Sequence, residues 1–110
     1  MLHVVDTVEV DPGRAGDYLA LVGTLGVTVM TDAGASLVSC AATSAEIGAP
    51  VGVQVVWGCE GYPAWNEIRM RLVLDPRWHE LASRAAALRL SGTRRFYTPL
   101  DLRGAPTAPG

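Results

Sequence analysis

The stretch LHVVDTVEVDPG, residues 2–13, contains the change from strand to helix on which the fold depends. Apolar and polar residues alternate through residues 2–10, which is the pattern of a strand with one buried face. Asp6 interrupts the apolar side of that alternation. Asp11 and Pro12 then supply a helix cap and a first helical residue. The stretch therefore predicts an opening strand that leads straight into a helix.

The rest of the chain divides into further predicted helices and strands. Strong turn signals and changes of hydrophobic period separate them. The predicted elements are a helix over 12–31, strands over 35–43 and 51–60, helices over 63–73 and from 76 to a stop at Ser91 and Gly92, and a strand over 93–98. This order predicts a ferredoxin-like α+β fold, a four-stranded antiparallel sheet with helices on one face. The other face needs a cover, and a second copy of the same sheet is the simplest one.

Composition limits the class of protein. The chain has 110 residues, 49% hydrophobic and 18% charged, which predicts one folded domain over 1–100 and a flexible tail over 101–110. The net charge of −2 argues against a nucleic-acid partner. No apolar run is long enough to span a membrane, and no secretory leader pattern is present, so we expect a cytoplasmic protein. Cys40 and Cys59 lack metal-site spacing and are predicted to be free thiols.

Several short segments carry a family resemblance. They are DPGR after the first strand, DYLAL, VQVVWGCE, NEIRMRLVLDPRWHEL and the final RRFYTPL. Together they resemble the NIPSNAP-like branch of the dimeric α+β barrel superfamily, over about residues 2–100. The resemblance implies a homodimer whose two sheets form a barrel, with a pocket in the barrel or between sheet and helices. It implies no single reaction, because the superfamily includes cofactor-free monooxygenases, cyclases, isomerases, dehydratases and haem-degrading enzymes.

Asp6 is the first candidate catalytic residue. Apolar surroundings disfavour the charged form of a carboxylate, so a carboxylate on the apolar face of a strand can serve as a general acid or base. The alternative is that Asp6 lies at a solvated barrel mouth or forms an ion pair with Arg94 or Arg95. Arg95 and Tyr97 share a face of the last strand, where a guanidinium beside a phenol stabilises an oxyanion.

His79, beside an apolar helix stripe, completes the catalytic candidates. Substrate-binding candidates surround Trp57, whose indole suits a flat apolar ligand or simply fills the core. They are Val55 on the same strand face, Val4 and Val8 beside Asp6, and Cys40, which a hairpin turning at 47–48 places opposite Val55. The two histidines and two cysteines match no metal site, and no phosphate-binding loop is present, so we expect neither metal nor cofactor.

The leading hypothesis is therefore a cofactor-independent enzyme that transfers protons on a small hydrophobic carbonyl-bearing or aromatic metabolite. It would be an isomerase, cyclase or lyase. One alternative is cofactor-free oxygenation of an electron-rich aromatic, and another is a non-catalytic protein that binds a ligand or a partner. A cavity of about 300 Å³ or more with convergent polar groups favours an enzyme.

Overall fold

The fold consists of one antiparallel sheet with helices packed on one face. A computed structural model describes residues 1–44 and 46–102. The strands are β1 (Leu2–Val10), β2 (Ser36–Ala42), β3 (Val51–Cys59) and β4 (Arg89–Tyr97). The helices are α1 (Ala15–Leu21), α2 (Val27–Ala33), α3 (Tyr62–Val73) and α4 (Pro76–Leu88), with a 3₁₀ turn at Pro12–Arg14 and a π-helical turn at Val22–Gly26. The predicted ferredoxin-like class is confirmed.

The sheet has the strand order β2-β3-β1-β4, and every neighbouring pair is antiparallel. Directly opposite residues in such pairs point to the same face. Asp6 lies opposite Val55 on β3 and Arg94 on β4, so these three side chains face the helices. The neighbouring position Val5 lies opposite Val56 and Arg95, on the open face. Side chains one residue apart thus belong to different surfaces of the protein.

The core lies between the sheet and the helices. Even-numbered positions of β1 and odd-numbered positions of β3 supply its sheet side, and the helices supply Val29, Met30, Trp65, Ile68 and Leu72. Two arginines tie helix ends to distant parts of the chain. Arg71 on α3 donates to the Ala33 carbonyl at 2.8 Å, and Arg14 donates to the Ala87 carbonyl at 2.9 Å. Both bonds satisfy carbonyls that a helix end leaves unpaired.

The first helix differs from its prediction. The sequence predicts one regular helix over 12–31, but a five-residue π-helical turn divides α1 from α2. Gly23 and Gly26 lie within that turn, and glycine weakens an α-helix by about 1 kcal/mol relative to alanine. The Thr24 hydroxyl donates to the Ala20 carbonyl at 2.7 Å and so satisfies a carbonyl at the change of pitch. π-Turns of this kind are frequent at functional sites.

The end of α4 also differs. The sequence predicts a helix stop at Ser91 and Gly92, but α4 ends at Leu88 and both residues lie inside β4. The pairing of β4 with β1 outweighs the local turn signal, because each added residue gains ladder hydrogen bonds. Gly92 fits the strand because a Cβ there would lie 3.2 Å from Val8 Cγ1. The glycine therefore marks a close approach between strands rather than a turn.

The hairpin of β2 and β3 has the predicted central register. Cys40 lies opposite Val55, as predicted. A regular hairpin turning at 47–48 would place Cys59 opposite Ser36, but an irregularity between Leu37 and Ser39 pairs Ser36 with Gly58 instead. Such a bulge adds one residue to one strand and so offsets the pairing beyond it. Both cysteines are free thiols, as predicted.

The single domain predicted over 1–100 stays a prediction. Of the predicted tail over 101–110, residues 103–110 lie outside the described residues, so the tail also stays a prediction. Within the described ranges, no helix has the length and apolar character needed to cross a lipid bilayer.

Candidate functional site

A cavity of about 380 Å³ lies between the helix-facing side of the sheet and the helices α1 and α4. Most of its wall is apolar, including the indoles of Trp57 and Trp78 and the side chains of Met30 and Leu81. The π-helical turn contributes Val22 and Gly26 to the wall. The volume lies within the range of small-molecule sites, which is about 300–1,000 Å³. An apolar chamber of this kind suits a small ring compound.

A bidentate ion pair forms one polar part of the cavity wall. Arg94 donates from Nε to Asp6 Oδ1 at 2.6 Å and from Nη2 to Oδ2 at 2.9 Å. The antiparallel register produces this pair directly, because Asp6 and Arg94 are opposite each other on β1 and β4. The Arg94 guanidinium carbon lies 5.2 Å from the ring centroid of Trp65, a cation–π distance. Arg94 is thus fixed on two sides, and it fixes the Asp6 carboxylate in turn.

Tyr18 supplies a second polar group. Its side chain comes from α1, lines the cavity and is only 7% exposed. Within the described residues its hydroxyl makes no hydrogen bond to the protein. Burial raises the pKa of Tyr18 above its ordinary value of 10.0, the nearby Asp6 charge raises that pKa further, and the positive charge of Arg89 opposes both effects. Tyr18 is therefore a neutral phenol at physiological pH, a hydrogen-bond donor facing the cavity.

The structure brings four of the predicted site residues to this cavity. They are Asp6, Val8, Val55 and Trp57. Asp6 forms an ion pair with Arg94, one of the alternatives to a catalytic role that its sequence position left open, and the same carboxylate lines the cavity. Val4 lies in the core and is fully buried, outside the cavity wall.

The other predicted residues lie elsewhere. Arg95 and Tyr97 share a strand face as predicted, but that face is the open one, so they do not meet Asp6. His79 lies on α4 and donates from Nε2 to the Val73 carbonyl oxygen at 2.8 Å. Cys40 lies on the exposed edge strand β2 and is not part of the cavity wall. Arg95 and Tyr97 therefore cannot stabilise an oxyanion beside Asp6. Tyr18 lies in the position for that role.

The sequence shows Tyr18 only as one of several residues at helical spacing, with Val22, Leu25 and Val29, and this pattern indicates an apolar helix face. The signal that could have found it is the phenol itself, since a tyrosine on an apolar helix face carries a hydroxyl that still needs a hydrogen-bond partner or water. Among the described residues, no three His, Cys, Asp or Glu side chains are close enough to share a metal ion.

Solved structures show the same fold. A NIPSNAP domain protein from Burkholderia xenovorans superposes with a TM-score of 0.79 at 22% identity, over 94% of this chain and 99% of that one. A NIPSNAP family protein from Agrobacterium tumefaciens gives a TM-score of 0.76 at 25% identity, over 92% and 87%. The chain has the NIPSNAP-type fold. No protein-family model and no curated protein sequence matches it.

The NIPSNAP-type fold extends to a named oxygenase. SnoaB from Streptomyces nogalater, a cofactor-independent oxygenase, matches with a TM-score of 0.61 at 11% identity, over 94% of this chain and 97% of that one. At that identity the likeness concerns the fold alone. The resemblance of the sequence to the NIPSNAP-like branch of the α+β barrel superfamily is thus confirmed at the level of structure.

Proposed function

We propose that the protein is an enzyme that transfers protons on a small apolar, carbonyl-bearing molecule bound in the cavity. One observation carries the proposal: a neutral phenol and an arginine-held carboxylate line the same largely apolar chamber. A positioned acid or base contributes about 10²–10⁴-fold to a rate. Apolar surroundings strengthen the interaction of both polar groups with a bound molecule.

Each group has a defined task in this proposal. Asp6 removes a proton from the carbon next to the substrate carbonyl, and the electron pair of that C–H bond moves toward the carbonyl oxygen. Tyr18 donates a hydrogen bond to the oxygen as its negative charge develops. The proton then returns from Asp6 to carbon, at the same or another position. Arg94 occupies two of the roughly four acceptor positions of the Asp6 carboxylate and leaves the others for the substrate proton.

The proposal is tested with 2-tetralone, a two-ring ketone with acidic hydrogens beside its carbonyl. In D₂O, proton NMR follows the replacement of those hydrogens by deuterium. We expect saturable acceleration by the folded protein over buffer and over the same protein in denaturant. Exchange at the buffer rate would contradict the proposed function.

Cofactor-independent oxygenation is a second candidate, favoured by the two indoles in the cavity wall, Trp57 and Trp78. Flat aromatic substrates pack well against such surfaces. The fold is shared with a protein described as a cofactor-independent oxygenase, which makes the reaction compatible with this architecture. Oxygen uptake with an electron-rich naphthol, measured by an electrode, separates this candidate from proton transfer, which consumes no oxygen.

A second copy of the chain is the proposed partner. The open sheet face carries Val5, Val38 and Tyr97, and the last two are 48% and 49% exposed. Exposed apolar patches of several hundred Å² are rare on monomers. We expect light scattering at micromolar concentration to give twice the chain mass of 11.6 kDa. A stable particle of one chain mass would contradict this prediction.

A further inference from the structure

The cavity wall carries an excess of positive charge. Its charged side chains are one carboxylate, Asp6, and two guanidiniums, Arg89 and Arg94. Asp6 and Arg94 neutralise each other in their bidentate pair. One positive charge, that of the solvent-exposed Arg89, remains among the residues that line the cavity, in a chain whose net charge is −2. The charge is therefore local and opposite in sign to that of the whole protein.

Arg89 is directed toward the cavity by the strand. It is the first residue of β4 and lies opposite Val10, on the helix-facing side of the sheet. Its side chain folds over Gly92, since a Cβ at that glycine would lie 3.2 Å from Arg89 Nη1 and 3.5 Å from its Cδ. The missing side chain at position 92 leaves the room that the guanidinium occupies. Its backbone N–H donates to the Ala85 carbonyl, but among the described residues the Arg89 side chain makes no hydrogen bond or ion pair.

Two hydrogen-bonding groups of the cavity thus lack protein partners among the described residues: the guanidinium of the exposed Arg89 and the hydroxyl of Tyr18, a residue that is 7% exposed. A guanidinium has donors only, and the neutral phenol offers its proton to the cavity. Both groups therefore match acceptor oxygens of a ligand. The guanidinium is suited to carboxylates in particular, because its forked donors match the two oxygens.

We propose that the substrate is a monoanion, an apolar ring compound with a carboxylate that binds Arg89 and a carbonyl oxygen that binds Tyr18. This inference rests on the proposed function, because it names the class of molecule on which the same cavity acts. The ring lies between Trp57 and Trp78, and the carboxylate balances the unpaired positive charge. A keto acid on a one- or two-ring body has all three features.

The test compares three probes of nearly equal shape by calorimetry: 2-naphthoate, the neutral 2-naphthamide and the cation 2-naphthylmethylamine. A charge-assisted hydrogen bond is worth about tenfold or more in affinity. We expect naphthoate to bind at least about tenfold more tightly than naphthamide, and the amine to bind least. In Arg89→Gln this preference is expected to disappear while naphthamide binds as before. Arg69→Gln is the matched control, an exposed arginine on α3 outside the cavity, and it should keep the full preference.

The binding results test the preference for an anion separately from the cavity as the site of the proposed function. If naphthamide binds the wild-type protein as tightly as naphthoate, the charge preference is wrong, while the cavity remains a small-molecule site. If the preference persists in Arg89→Gln, the assignment of Arg89 is wrong. If no probe binds, both the inference and the cavity as the site of the proposed function are contradicted. Circular dichroism of both variants establishes that they are folded.

Discussion

Replacing Tyr18 by phenylalanine is expected to lower the exchange of 2-tetralone by about 10²–10³-fold, the usual cost of removing one donor to a developing oxyanion. The ring stays in the core, so the cavity keeps its shape. The hydroxyl bonds to none of the described residues, so its loss should change the free energy of unfolding by less than about 1 kcal/mol. Exchange rate and urea unfolding on one preparation measure both effects.

Tyr62→Phe is the matched control for this substitution. Tyr62 lies on α3 with its ring 5.9 Å from that of Phe96, is 58% exposed and takes no part in the cavity. Its variant should exchange 2-tetralone at the wild-type rate. Equal rates for Tyr18→Phe and wild type would remove the phenol from the reaction.

Tyr18 also predicts how stability depends on pH. Its pKa in the folded state is raised above 10.0, chiefly by burial, whereas in the unfolded chain it titrates near its ordinary value. A group with a raised folded-state pKa stabilises fully below the unfolded pKa, and that stabilisation is lost as pH rises through the folded pKa. The wild-type protein should therefore lose stability above about pH 10. Urea unfolding of Tyr18→Phe across the same range should show a smaller loss.

Asp6→Asn is expected to have the second large effect. The exchange rate should fall by about 10²–10⁴-fold, because the amide keeps the shape of the side chain but cannot accept the proton. Stability should fall too, by about 1–2 kcal/mol, because the Arg94 guanidinium loses its anionic partner. The two side chains are only 25% and 34% exposed, so solvent replaces that partner incompletely.

Asp32→Asn is the matched control for Asp6→Asn. Asp32 also accepts from an arginine, Arg77, at 3.0 Å, but it is 57% exposed and lies outside the cavity. That variant should lose at most about 1 kcal/mol and exchange 2-tetralone normally. An Asp6→Asn protein that melts early yet exchanges at the wild-type rate would assign Asp6 a structural role only.

Much of the fold follows from local sequence patterns. The alternation in residues 2–10 predicts β1 with the bounds observed, and the cap formed by Asp75 and Pro76 predicts the start of α4. Asp75 accepts from the Arg77 backbone N–H at 2.9 Å, as a cap residue does. What the patterns miss depends on pairing between distant segments. The early start of β4 is a property of the ladder with β1.

The residues of the candidate site were likewise predictable where the information is local in sequence, and not where it depends on distant segments. Asp6, Val8, Val55 and Trp57 could be assigned to one surface because each strand alternates with a period of two. The partner of Asp6 depends on the register between β1 and β4, 88 residues apart in sequence. A shift of one position exchanges Arg94 for Arg95 and moves Tyr97 to the other face. Tyr18 was missed because only tertiary packing brings α1 over Asp6.

We propose that proton transfer takes place in the cavity between sheet and helices. Two glycines of the π-helical turn test it as a pair. Gly26 lines the cavity, whereas a Cβ at Gly23 would meet nothing within 4 Å. A side chain at Gly26 therefore takes space from a bound molecule, and the same side chain at Gly23 does not. Gly26→Ala provides a milder step, since its Cβ would make ordinary 3.6 Å contacts with Val22.

The deciding measurement is the 2-tetralone exchange rate of Gly26→Leu beside that of Gly23→Leu, both verified as folded by circular dichroism. We expect a loss of about 10²-fold for Gly26→Leu, because displacing a bound molecule by about 1 Å costs that much. We expect an intermediate rate for Gly26→Ala and the wild-type rate for Gly23→Leu. Equal exchange by the two leucine variants would place the reaction outside the cavity and contradict proton transfer there.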